Sequence, residues 1–341
     1  MTHSLVPRRT GLLVAAGISA ALVGLGAAQA AAATGPSVGA PIPAGNSPFE
    51  IAALPALHKV FVAENGDHTV GVFDTEKGEF TQRIPLPGKQ PLSVAANRKT
   101  GTVYVGTYQD TLEVIDGARG TVKASYRTGQ HSHSIGVDEN NDRVAVANGV
   151  SNTVTIIDEG GAATSVNVGK LPTSPVFSSD GTKLYVTNAQ SNTVSVIGTG
   201  PEDYWPSVGK TINTQFWPLQ AALNPNTGKL YVSNRLEGTV QIIDTATDSV
   251  TGSVKVGEEP IDVAVNADTN TVYVANSKSN SVSVLDGATT RVRATVPTNG
   301  NYPLGIAVTD AKTAYVTNKG SNNINKLTDP GPDSGETGQA A

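Results

Sequence analysis

Glu50, Asp262 and the run His131-Ser132-His133 are the side chains in this sequence whose types could do chemistry. Two carboxylates can share a hard cation such as calcium or pass a proton, and an imidazole titrates near neutrality and can move protons or ligate a metal. Other chemistries are closed off. The 341 residues include no cysteine, which excludes a disulfide, a thiolate nucleophile, Cys-ligated zinc and thioether-linked haem. No G-x-S-x-G elbow, P-loop or H-E-x-x-H sequence is present. Whatever the carboxylates and imidazoles do depends on the elements that bring them together.

Those elements repeat. The phrase KLYVTNAQSNTVSVIG from Lys183 returns as KLYVSNRLEGTVQIID from Lys229, TVYVANSKSNSVSVLD from Thr271 and TAYVTNKGSNNINKLT from Thr313. Aligned on its third residue, it puts Phe61, Tyr104, Ala145, Tyr185, Tyr231, Tyr273 and Tyr315 in register, at intervals of 43, 41, 40, 46, 42 and 42 residues. A period of about 40 to 45 residues with several alternating strands per unit signals a β-propeller. The strands of one blade read best as IDVAVN from Ile261, TVYVAN from Thr271, SVSVLD from Ser281 and VRATVPT from Val292. Helical periodicity is absent, and 36 glycines, 20 prolines and 16% charged residues suit many short strands and turns.

The expected fold is therefore all-β: a seven-bladed β-propeller of four-stranded blades over 34–328, followed by a disordered polar tail at 329–341. The last repeat carries only three strands. The ring is expected to close when the mature N-terminal strand, in VGAPIPAGNSPFEIA from Val38, completes the last blade beside Ile324.

Tyr185-Val186-Thr187-Asn188 and Tyr315-Val316-Thr317-Asn318, with variants at 231–234 and 273–276, resemble the YVTN-repeat (YncE-like) β-propeller family, which includes periplasmic proteins and archaeal surface-layer proteins. The resemblance spans nearly all of the chain beyond its N-terminus. It implies an exported propeller with a ligand-binding or surface role, a passive spacer in a surface array among them.

Most repeated residues have a structural explanation. One turn position holds His68, Asp110, Asn152, Asn192, Gly238, Asn280 and Asn322, all types that tolerate positive φ. Asp74, Asp116, Asp158, Asp244 and Asp286 follow the third strand, where a carboxylate caps the next turn. The tyrosines are expected to pack between blades.

Function is sought where the repeats differ. A short loop, mostly G-x-x-P, leads into each blade and should ring one mouth of the central channel. Its variable positions include Lys89, His131, Lys170, Phe216, Trp217, Glu258 and Tyr302. This mixture of aromatics, charges and an imidazole is either a ligand site or a set of solvated loop tips. Two residues further in, alternation points Glu50, Ser93, Ser134, Ser174, Gln220, Asp262 and Gly305 toward the axis. There Glu50 and Asp262 either share calcium, completed by Gln220, or line a hydrated channel. Alternation also predicts that His131 and His133 diverge, which disfavours chelation. In the blade-four insertion, Tyr204 and Trp205 either form a partner patch or fold back over the rim.

Arg8-Arg9, the apolar run after it and Ala28-Gln29-Ala30 read as a secretory signal peptide over 1–33, cleaved near 30–33, with a loose match to the twin-arginine pattern. Removing Arg8 and Arg9 from 24 basic residues leaves 22 against 29 acidic ones, so duplex nucleic acid is not an expected partner. The expected protein is an exported monomeric binding propeller, without a membrane span after cleavage. Its partner is a small molecule, glycan or protein at the channel mouth, and no cofactor is expected beyond a possible calcium ion. The alternative is a metal-assisted hydrolase or lyase with the ion in the channel and His131 moving protons.

Overall fold

The computed structural model describes residues 35–203 and 205–331; the leader, Tyr204 and most of the tail lie outside them. Runs rich in Val, Ile, Thr and Tyr, broken every few residues by Gly, Asn and Asp, form short antiparallel strands joined by tight turns. Six sheets have four strands each: blade 1 at 48–85, blade 2 at 91–127, blade 3 at 132–167, blade 4 at 172–213, blade 5 at 218–255 and blade 6 at 260–297. Blade 7 takes Pro303–Asp310, Thr313–Asn318 and Asn323–Thr328. The short strands Ser37–Val38 and Ile42–Pro43 pair along its outer edge, Val38 opposite Leu327 and Ile42 opposite Ile324.

The chain thus forms a seven-bladed propeller, and no α-helix occurs among the described residues. The first strand of each blade stands against the first strand of the next, and Pro303–Asp310 against Pro48–Leu54 completes the circle. Its apolar core is divided into seven clusters, one at each junction between neighbouring blades. The aligned tyrosines sit in these junctions, and Tyr315 packs on Phe73 with ring centres 5.3 Å apart where blade 7 meets blade 1. Order continues past the last strand: Asp329 is buried and accepts hydrogen bonds from Tyr273 Oη at 2.8 Å and Arg293 Nη2 at 2.6 Å.

The repeated phrase has a job for each polar letter. Every first strand opens with a β-bulge, where the register breaks just after the loop's Pro or its equivalent. Such a bulge frees a backbone N–H. In blades 4, 5 and 7 the hydroxyl of Thr187, Ser233 or Thr317 accepts that N–H, from Ser174, Gln220 or Gly305, at 2.9, 3.1 and 2.9 Å. The same hydroxyls then donate to Leu219, Ile261 and Phe49 carbonyls on the next blade, at 2.7, 2.8 and 2.6 Å.

The Asn of the phrase points the other way along the blade. Asn188 Nδ2 donates to Thr193 and Ser195, and Asn276 Nδ2 to Ser281 and Ser283. Its amide lies so close to the loop glycine that a Cβ on Gly169 or Gly300 would come within 2.7 Å of the Asn Cγ. Close approach, not positive φ, is what those glycines supply.

The turn position expected to need positive φ has it in all seven blades, from 50° at Asn280 to 63° at Gly238. Its side chain does more. Asp110, Asn152, Asn192, Asn280 and Asn322 accept the backbone N–H of His131, Leu171, Trp217, Tyr302 and Ser47, each in the loop entering the next blade. The preceding Ser151, Ser191, Ser279 and Ser321 hold the loop of their own blade through the N–H of Gln130, Lys170, Glu258 and Asn301. The Asp residues after strand three cap the next turn as expected, Asp116 Oδ1 accepting from Ala118 and Arg119, for example.

Thr317→Val should leave the shape of blade 7 intact while stranding the Gly305 N–H and the Phe49 carbonyl at the ring junction. A loss of about 1–3 kcal/mol in denaturant unfolding is expected. A variant as stable as the parent would show that the junction holds without this hydroxyl.

Candidate ligand site in the central channel

The first strands line a channel that contains two adjoining spaces. The narrower, of about 250 Å³, is bordered by Glu50, Ser134, Ser174, Gln220 and Asp262, five of the residues that alternation aims at the axis. Gln220 spans this layer, donating from Nε2 to Glu50 Oε1 at 2.5 Å and to Ser134 Oγ at 3.3 Å. Ser93 departs from the expectation. It is fully buried, and its hydroxyl lies where a Cβ on Gly106 would be, the position that Thr187 and Thr317 occupy in their blades. With Gly at that position in blade 2, the serine fills the gap instead of facing the axis.

The wider space, of about 730 Å³, continues from this layer to the end of the channel opposite the G-x-x-P loops. Ile51, Ala53, Ala96, Val176 and Phe177 give its walls apolar patches beside polar surface, and the turns between first and second strands give it Arg98, Glu139, Asn140 and Asp268, with Asp310 from a strand end. None of these rim residues stood out in the sequence. The signal that could have found them is the small residues of the first strands, Ala52-Ala53, Ala95-Ala96 and Ala221-Ala222, which leave room around the axis.

Glu50 and Asp262 stand in this layer two blades apart. Each keeps a little surface on the channel interior but is otherwise enclosed by protein. Burial, and after it the charge of Asp262, pushes the Glu50 carboxyl up to about 8. Burial pushes Asp262 up to about 7, against the pull of two backbone donors, Ile306 N at 2.6 Å and Val263 N at 2.8 Å. Burial thus favours the protonated form of both carboxyls. For calcium the donor set is hard and oxygen-rich, as that ion requires, with carboxylates, an amide and the Ser134 and Ser174 hydroxyls. Only two of the donors carry charge, and among the described residues no group of three or more acidic or histidine side chains is gathered.

The loop residues at the other mouth are not gathered into this site: none of the seven borders either channel space. Lys89 folds back onto Glu113 at 2.5 Å and Ser125 at 3.2 Å, and Glu258 pairs with Lys278 at 3.3 Å. Lys170 is exposed. Phe216, 60% exposed, borders a surface groove with Gln215 and Glu237. Trp217 and Tyr302 hold equivalent places in their loops, each with positive φ, 59° and 58°. His131 and His133 do not diverge. Residues two apart share a face of an alternating strand, and the ring centres stand 5.9 Å apart. In the blade-four insertion, Trp205 is 87% exposed, so it does not fold back over the rim.

A family model described as "Lactonase, 7-bladed beta-propeller" matches residues 44–328. The chain belongs to this lactonase family of seven-bladed β-propellers. The YVTN-repeat resemblance is compatible with it at that coarser level. No curated protein matches the chain. Among solved structures, this lactonase-family chain is similar to Kuenenia stuttgartiensis hydrazine synthase, with 19% identity over 84% of this chain and 96% of that one, and a TM-score of 0.74. At that identity the likeness concerns the fold alone.

Both channel carboxyls titrate higher in the folded protein than in an unfolded chain, so folding takes up protons. Their contribution to stability is full below the ordinary carboxylate range, near pH ~4, and is lost as pH rises through 7 to 8. Glu50→Gln removes one of them. Its melting temperature should gain on the parent by a few degrees between pH 5 and 8.5, and parallel melting curves across that range would show that Glu50 ionises as it does in water.

Proposed function

We propose that this propeller is an exported small-molecule-binding protein whose ligand enters the wide end of the channel and sets a cationic head on the Glu50, Gln220 and Asp262 layer. The observation that carries this reading is the pair of enclosed carboxyls at the inner end of a cavity of about 730 Å³. Its apolar patches suit the body of an amphipathic molecule, and Glu139, Asp268 and Asp310 outnumber Arg98 at the rim, which favours a positive charge. An ammonium group would restore the ionised form that burial disfavours, so affinity should rise with pH as the carboxyls lose their protons.

Benzyltrimethylammonium is a suitable probe. Calorimetry should show binding at least tenfold tighter at pH 8.5 than at pH 6, lost in the Glu50→Gln, Asp262→Asn double variant. Affinity independent of pH and of both substitutions would remove the cation from the channel. Calcium added in competition tests the ion reading at the same site: displacement of the probe by millimolar calcium in the parent, and not in the double variant, would put the metal there instead.

The family match supports a second reading, hydrolysis of a cyclic ester. In that reaction ionised Asp262 takes a proton from water as the water oxygen attacks the carbonyl carbon. The ring C–O bond then breaks, and protonated Glu50 donates its proton to the departing alkoxide, giving a hydroxy acid. Turnover of δ-valerolactone in a pH-stat should peak between about pH 7 and 8 and fall at least a hundredfold in Asp262→Asn. Equal rates for parent and variant would confine the site to binding.

Export rests on the leader at 1–33. N-terminal sequencing of the protein recovered from outside the cytoplasm should begin within residues 31–34; a product starting at Met1 or Thr2 would overturn the signal-peptide reading.

A further inference from the structure

Blade 3 holds a cluster of ligating side chains at the loop mouth that the channel site does not use. We propose that His131 and His133 form a binding site for one divalent transition ion of the copper and zinc class.

His131 and His133, two residues apart, lie on the same side of the blade, with ring centres 5.9 Å apart and ring planes at 49°. Two imidazoles that share an ion through metal–nitrogen bonds of about 2.0–2.1 Å have ring centres about 5 to 6 Å apart. The spacing therefore needs little adjustment on binding. The pair is held from several sides. The His131 N–H donates to Asp110 Oδ1 at 2.8 Å, the Tyr108 ring packs against the His131 ring at 5.2 Å, and the Ser132 hydroxyl between them bonds Thr128 Oγ1 at 2.7 Å.

A second, independent observation points to a ligand. Nδ1 of His133 is buried and has no hydrogen-bond partner, a condition that ordinarily carries a cost. A metal ion, or a water bound to one, supplies the missing partner. Neutral imidazole is the form that ligates. With no cysteine in the chain and two imidazoles at the site, the donors are of the borderline nitrogen class, for which Cu²⁺ stands highest among the divalent first-row ions. Among the described residues no third acidic or histidine side chain joins them, so water fills the remaining positions and the ion stays open to exchange.

The test uses the full chain carrying His3→Ala, because a free Met1-Thr2-His3 terminus would itself bind copper. Addition of Cu²⁺ at micromolar protein should give one bound ion per chain, with nitrogen hyperfine structure from two imidazoles in the electron paramagnetic resonance spectrum. His131→Asn keeps a residue that accepts positive φ and should weaken binding at least tenfold with an unchanged melting temperature. His133→Ala should weaken binding as much, while His58→Ala and His68→Ala leave affinity as it was. Absence of bound copper in the parent, or equal affinity in the His131→Asn and His133→Ala proteins, would overturn the site.

Discussion

A propeller blade cannot bury both of its faces alone, so the stability of this chain depends on how each blade is fastened to the next. The hydroxyl at the third place of the YVTN phrase is one such fastening. It accepts the N–H that the bulge leaves free in its own blade and donates to a carbonyl of the following blade, so one side chain satisfies two backbone groups across a junction. Thr317 does this between the two ends of the chain, where Gly305 and Phe49 meet. The same residues reach the site: Ser174 and Gln220, whose N–H groups the hydroxyls accept, also border the channel.

The charge pattern follows from the same enclosure. Five of the seven residues that alternation assigns to the Glu50 level carry no charge, and the two carboxyls that remain have little water to solvate them. Elsewhere carboxylates are paired or capped: Asp138 with Arg143 at 2.6 Å, Lys89 with Glu113, and the turn aspartates with backbone amides. Glu50 and Asp262 lack a cationic partner, which is why burial dominates their titration.

Much of the architecture was legible because it recurs. Seven copies of a phrase at a nearly constant interval specify the blade number, and side-chain type at the turn position indicates positive φ. The inner residues of five blades were also legible, since strand period is simple. What alternation cannot show is a bulge. In blade 2, where the register breaks between Pro91 and Ser93 and Gly106 makes room, Ser93 lies off the axis. Lys89 looked free in the sequence because its partner, Glu113, lies two strands away. The wide cavity was hidden for another reason: it is defined by small residues, and the absence of side-chain volume leaves only a faint mark in a sequence.

The clamps on the entry loops grip the main chain, apart from one bond of 3.3 Å from Asn322 Nδ2 to the Asn46 side chain. Asn152, Asn192, Asn280 and Asn322 hold their neighbours by backbone N–H groups and place no demand on the side chains of Leu171, Trp217, Tyr302 and Ser47. Each of those tips nevertheless adopts a backbone angle that glycine would reach without strain. The rim can therefore be rewritten one tip at a time, with the same backbone presenting a new chemical surface. A glycine-tipped version would be a relaxed, featureless form of the same ring, against which the contribution of each displayed side chain can be weighed.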